Sequence, residues 1–177
     1  SGPGAIRKSG GGTLILGNAN TYTGDTQLTA GATVVTSIGA AGASATSVGA
    51  NVGGGNLQLG NGGTSVGSLL YVGSGETTTR LIQINSTTGS PTIDATGSGA
   101  LVLQSISNSL AGAKTLNIRG NNVDGNMSTS QLTDNGGALT LTKSDSGVWI
   151  LNPSVANTFT GNINASGGML GLTSNAI

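Results

Sequence analysis

Short apolar triplets, separated every few residues by Gly, Asn, Ser or Asp, run the length of this chain. Leu14-Ile15-Leu16, Thr33-Val34-Val35, Leu57-Gln58-Leu59, Leu101-Val102-Leu103, Leu116-Asn117-Ile118, Leu139-Thr140-Leu141 and Met169-Leu170-Gly171-Leu172 are representative. Their period is two, so the outer side chains of each triplet turn to one side and the middle one to the other, as in a half-buried strand. No window carries apolar residues at helical spacing, and the abundant Gly, Ser, Thr and Asn are poor helix formers. The chain is read as all-β.

The choice among sandwich, barrel and solenoid rests on what fills the interior. Sheet-on-sheet cores usually hold several aromatics, whereas this chain has one Trp, one Phe and two Tyr in 177 residues. Most triplets offer only two inward positions, which suits a narrow coil. Gly/Ser-rich chains are often disordered, but here hydrophobic residues still make up 35% and fall in blocks. About fourteen such blocks at three per turn give about five coils.

A repeat joins the two ends. Lys8-Ser9-Gly10-Gly11-Gly12-Thr13-Leu14-Ile15-Leu16 aligns with Lys143-Ser144-Asp145-Ser146-Gly147-Val148-Trp149-Ile150-Leu151. Asn20-Thr21-Tyr22-Thr23-Gly24 then matches Asn157-Thr158-Phe159-Thr160-Gly161, and Ala30-Gly31-Ala32-Thr33 matches Gly167-Gly168-Met169-Leu170. Internal repetition of this length is the mark of a solenoid. The pattern resembles the autotransporter-associated β-strand repeat, also called the passenger-associated transport repeat, of very large bacterial surface proteins. The resemblance implies a right-handed parallel β-helix, cut from a longer solenoid, with secretion to the bacterial cell surface and a stalk or adhesin role. It implies no catalytic residues and no cofactor, because the motif is architectural. Trp149 in place of Leu, Pro153 in the following turn and Gly168-Met169 depart from the family pattern, and Pro153 has to sit outside the ladder.

These readings divide one solenoid domain into stretches. Residues 1–5 read as a cleavage scar, 6–37 and 141–177 as repeat-like rungs, and 56–140 as spacer rungs without the full motif. Residues 38–55, nearly all Ala, Gly and Ser, are expected as a thin rung with a flexible corner or as an external loop. The structural positions of the repeat are Lys8, Gly12, Leu14, Leu16, Tyr22, Gly24 and Gly31 in the first copy. In the second they are Lys143, Gly147, Trp149, Leu151, Phe159, Gly161 and Gly168. The glycines among them are expected at corners with positive φ, and Tyr22 and Phe159 as corner packing residues.

The same residues exclude much chemistry. With no His and no Cys, thiol nucleophiles, disulfides, Cys/His metal sites and His-based triads are absent. Six basic against six acidic residues give zero net charge, which leaves no footprint for nucleic acid. No run approaches the ~20 apolar residues of a membrane helix, so no direct membrane insertion is expected. A β-helical lyase or hydrolase would cluster charges on one external face, with Arg80, Asp94 and Arg119 as candidates. The six acids, Asp25, Glu76, Asp94, Asp124, Asp134 and Asp145, show no close pairing, and they read as solvated surface charge. Gly120-Asn121-Asn122-Val123-Asp124-Gly125-Asn126 resembles a calcium loop in composition but has one carboxylate. Neither GxGxxG nor GxxxxGK[ST] occurs.

Three functional expectations follow. The first is a non-enzymatic rod segment whose partners are the neighbouring rungs of its parent, with head-to-tail self-association through open ends. The second is a binding module whose Thr rows (Thr21 and Thr23, Thr77 to Thr79, Thr140 and Thr142, Thr158 and Thr160) form an uncharged face for glycan or ice. The third is a phage or virion fibre segment.

Overall fold

A computed structural model describes residues 2–177. It contains seventeen β-strands and, among the described residues, no helix. The strands form three parallel sheets, which are the faces of one β-solenoid of about five turns. Face 1 stacks β1 (Ile6–Lys8), β3 (Thr26–Leu28), β5 (Leu57–Leu59), β8 (Ile82–Ile84) and β11 (Ile106–Asn108). Face 2 stacks β2 (Thr13–Leu16), β4 (Ala32–Val35), β6 (Ser68–Tyr71), β9 (Thr92–Ala95), β12 (Lys114–Arg119), β14 (Leu139–Lys143) and β16 (Ile163–Ala165). Face 3 stacks β7 (Ser74–Thr78), β10 (Gly99–Leu103), β13 (Asn126–Ser128), β15 (Val148–Leu151) and β17 (Met169–Leu172).

The period-two pattern sets the register. Inside face 2, Leu14, Thr33, Leu69, Ile93, Ile118, Lys143 and Ala165 lie one above the next. Inside face 1 the column Lys8, Leu28, Leu59, Ile84 and Asn108 runs parallel to it. Leu28, Leu57, Leu59, Leu69, Ile82, Ile84 and Ile93 are completely buried, and each contributes about 1.5–3 kcal/mol of transfer free energy. Apolar stacking at successive rungs therefore fixes which residues pair, because a one-residue slip would turn every Leu and Ile outward.

Face 3 starts late. In the first two coils its place is taken by residues 17–25 and 36–56, which hold no strand. The second of these includes the Ala/Gly/Ser-rich stretch. It is joined to the coil below by an antiparallel bridge between Asn20 and Thr46, and its Ile38, Val48 and Ala50 point into the core. Apart from Thr36 at its start, its exposed residues lie at two tips, 40–42 with Ser44 and 52–54. At the two ends of the coil the inward residues are less covered: Leu14, Ile163 and Leu170 are half-buried and Leu172 is exposed.

Candidate functional site

The residues that open each repeat build the corners of the coil. A sharp bend between two faces leaves backbone carbonyls aimed inward, where no strand can satisfy them, and an unpaired buried carbonyl costs free energy. Lys8, at the end of β1, turns its ammonium into such a corner and donates to Gly10 O (2.6 Å) and Ala30 O (3.0 Å). Lys143, at the end of β14, does the same toward Ser144 O (2.6 Å), Asp145 O (2.9 Å) and Gly167 O (3.0 Å). In both corners one acceptor belongs to the following rung, so the lysine staples two coils. Lys114 serves a third corner, donating to Leu110 O (2.5 Å) and to Asn108 Oδ1 (2.7 Å). Burial pushes the Lys143 and Lys114 amines below the usual lysine range, and nearby Asp145 pulls Lys143 partly back.

The glycines of the repeat divide into three kinds. Gly31 and Gly168 have φ of 65° and 61°, the left-handed region, and face the carbonyls of Gly12 and Gly147. Gly24, Gly147 and Gly161 lack positive φ, contrary to expectation; they are glycine because a Cβ would meet backbone of the adjacent rung. Gly12 meets neither condition, with open space where a Cβ would stand. The aromatic corner is held by Asn20 and Asn157, whose Nδ2 groups reach Ser47 O and Ala176 O at 2.8 Å. Tyr22 bonds Thr26 Oγ1 (2.7 Å) and lies against Gly49, while Phe159 packs on the core. Trp149 is fully buried in the inner column of face 3 and donates Nε1–H to Arg119 O at 3.0 Å. Leu16 and Leu151 are buried.

Arg80 does not stand with Asp94 and Arg119 on an external face. It is fully buried and clasps the 36–56 stretch. Asp94 and Arg119 do meet, with Arg119 Nε 3.0 Å from Asp94 Oδ2 and 4.0 Å from Asp145 Oδ2. Their separations of about one coil in sequence hid this ladder of acid, base and acid on the outside of face 2. Three of the remaining acids serve the backbone. Asp25 accepts from Asn56 N and Gln58 Nε2, and Glu76 accepts from Ile38 N and Gly39 N. Asp134 accepts from Leu139 N, Thr160 N and the Thr160 hydroxyl, and that hydroxyl, first among these, holds its carboxyl below the usual aspartate range. In the 120–126 loop Asn122 and Asn126 bond mainly to backbone: Asn126 Oδ1 accepts from Leu101 N (2.9 Å) and its Nδ2 reaches Val148 O (2.9 Å). Asp124 Oδ2 accepts from Asn122 Nδ2.

The Thr rows do not form one face. Thr77 lies on face 3 and Thr140 with Thr142 on face 2, whereas Thr21 with Thr23 and Thr158 with Thr160 occupy strandless corners. The longest uncharged outer column is a different set on face 2: Thr13, Ala32, Ser68, Thr92, Asn117, Thr142 and Asn164. Beside it Thr115 stacks on Thr140, and a shallow open groove runs along Gly89, Ser90, Thr115 and Thr140.

Three stretches, 6–35, 93–120 and 141–172, match the passenger-associated transport repeat and together cover just over half of the chain. The chain belongs to the passenger-associated transport repeat family. It is also 36% identical over 155 residues to the adhesin BmaC autotransporter of Brucella suis biovar 1 (strain 1330), across 84% of this chain. The chain spans 4% of the length of that relative. No solved structure matches it.

The passenger-associated transport repeat at 93–120 lies inside the region read from sequence as spacer rungs. It lacks the Asn-Thr-aromatic corner, and Ala95 stands where the other copies have lysine. The structure supplies the missing donor from the next rung: Asn122 Nδ2 donates to Gly97 O at 3.0 Å, the carbonyl equivalent to Gly10 O and Asp145 O. The copies also differ in direction. The first runs from face 1 to face 2 (β1 to β2), while the other two run from face 2 to face 3 (β9 to β10, and β14 to β15).

Proposed function

We propose that this chain is a non-enzymatic segment of the stalk of a large secreted, cell-surface protein, a rigid β-helical spacer that supports adhesion or display and assists export. The observation that carries this reading is the rung-by-rung ladder of the passenger-associated transport repeats, whose charged and amide side chains are mainly spent on its own corners. Its partners are further rungs of the parent, which would cover the half-buried Leu14, Ile163 and Leu170 at the two ends. Each added rung brings a new nearest-neighbour interface, so stability rises with coil number. The test is to extend the chain by one native coil at each end. A higher urea midpoint supports a stalk segment, and an unchanged midpoint rejects it.

A second reading is favoured by the seven-membered uncharged column on face 2. Hydroxyl and amide groups repeated at about 4.8 Å would suit an extended neutral glycan. Loss of a glycan-array signal on replacing Thr92, Asn117 and Thr142 by Ala would support it, and the absence of any signal from the parent chain rejects it. An ice-affinity assay separates glycan from ice.

A further inference from the structure

The stretch 36–56 is closed largely by side chains from a later rung. Its composition leaves few apolar anchors, and only Ile38, Val48 and Ala50 are buried as hydrophobics. Its carbonyls converge instead on Arg80, in the corner after β7. The Arg80 guanidinium donates from Nη1 to Gly49 O (2.9 Å), Thr46 Oγ1 (3.3 Å) and Ile38 O (3.4 Å). From Nη2 it donates to Gly55 O (2.9 Å) and Val48 O (3.0 Å). No carboxylate bonds to it, so the buried charge is held by the backbone and hydroxyl of the stretch it clasps. Glu76, in β7, completes the arrangement from the other side, accepting from Ile38 N (2.6 Å) and Gly39 N (2.9 Å). Thr79 Oγ1 accepts from Ala41 N (2.9 Å).

Toward the coil below, the hold is lighter. Asn20 and Thr46 exchange two backbone bonds, and Ala50 N donates to Tyr22 O. Thr26 Oγ1 donates to Val48 O, and Asn20 Nδ2 to Ser47 O. The mouth of the stretch is tied by its own serines, since Ser47 N donates to Ser37 Oγ and Thr36 N to Ser47 Oγ. No strand ladder crosses it.

We propose that residues 36–56 are a strap that closes over the second coil only when the third coil supplies Glu76 and Arg80, and that opens as a unit while the ladder stays intact. The physical ground is the direction of dependence. Strand pairing runs continuously through faces 1 and 2 past the strap, from β3 to β5 and from β4 to β6, so the coil does not need the strap to hold its register. The strap, by contrast, loses five acceptor partnerships if Arg80 is withdrawn. It therefore orders only after the third coil has formed.

Hydrogen exchange read by mass spectrometry on the full chain tests this, comparing wild type with Arg80→Met, which keeps the apolar stem and removes every donor. Peptides covering 36–56 are expected to exchange at least about tenfold faster, while peptides covering 92–151 keep their wild-type protection. Unchanged exchange in 36–56 overturns the proposal, and so does an equal acceleration over all rungs. If Arg80→Met does not fold, Glu76→Gln serves in its place, because its amide turns a donor toward backbone N–H groups. The same local loss supports the strap; an unaltered or a global pattern overturns it.

Discussion

Replacing Asn122 by Ala tests whether a side-chain amide can stand in for the corner lysine of the repeat. Asn122 is 7% exposed. Its Nδ2 donates to Gly97 O (3.0 Å) and Asp124 Oδ2 (3.1 Å), and its Oδ1 accepts from Asp124 N (3.0 Å). The two bonds within the loop can be replaced by water, because Asp124 is exposed. Gly97 is buried, so its carbonyl would be left without a partner, which costs about 1–3 kcal/mol. The expected loss for Asn122→Ala is therefore about 2 kcal/mol, or a fall of roughly 1 M in urea midpoint at the m-value typical of a chain this size. Trp149, the single tryptophan, is fully buried two rungs above Gly97 and gives the fluorescence readout. The second arm restores the family pattern by adding Ala95→Lys to Asn122→Ala, which should recover at least half of the lost midpoint. A single variant within about 0.5 kcal/mol of wild type, or a double variant no better than the single, would refute the equivalence of ammonium and amide.

Four further outcomes are expected. Lys143 has its folded-state amine below the ordinary value of 10.5, so between the two values the unfolded chain binds more protons and stability rises with pH; Lys143→Met should flatten that rise in urea titrations between neutral and alkaline pH. Gly168→Ala, at φ of 61° and against Gly147 O, should cost about 1–3 kcal/mol, whereas Gly12→Ala should stay within about 0.5 kcal/mol; equal effects in thermal melts would contradict the distinction. Trp149→Ala should cost about 3–5 kcal/mol, read by circular dichroism. The Asp134 carboxyl lies below its ordinary value, so its stabilisation is present above that value and is lost as pH falls through the folded-state one; Thr160→Ala should weaken this acid-side loss.

Apolar alternation made most of the coil legible. Leu57-Gln58-Leu59 and Leu101-Val102-Leu103 lie in β5 and β10, and their outer leucines are completely buried. Four strands, β1, β7, β11 and β13, lie outside the apolar blocks, and β7 and β13 do so because their inward positions are polar. The inner column of face 3 includes Glu76 in β7 and Asn126 in β13, both held by backbone groups of neighbouring stretches. Periodicity registers hydrophobicity, and it cannot tell a satisfied buried amide from an exposed one. Arg80 misled for the same reason, since the Ala/Gly/Ser stretch that leaves space and free carbonyls for it lies some thirty residues earlier. The Asp94–Arg119 pair was hidden by distance of a different kind, one full coil. Repetition alone marks Lys8 and Lys143 in the sequence, and their role as carbonyl caps exists only once the fold brings the next rung beside them.

The change of face between the first repeat and the other two gives position along the chain an angular meaning. Two copies a whole number of coils apart point the same way around the axis, as those at 93–120 and 141–172 do. One that starts a side early, as at 6–35, points a third of a revolution away. Because two of the prism's three corners accept the same cassette, the number of residues between copies becomes an azimuth setting. In such a coil, adding or removing a single side turns the next copy by a third of a revolution without altering the cassette itself.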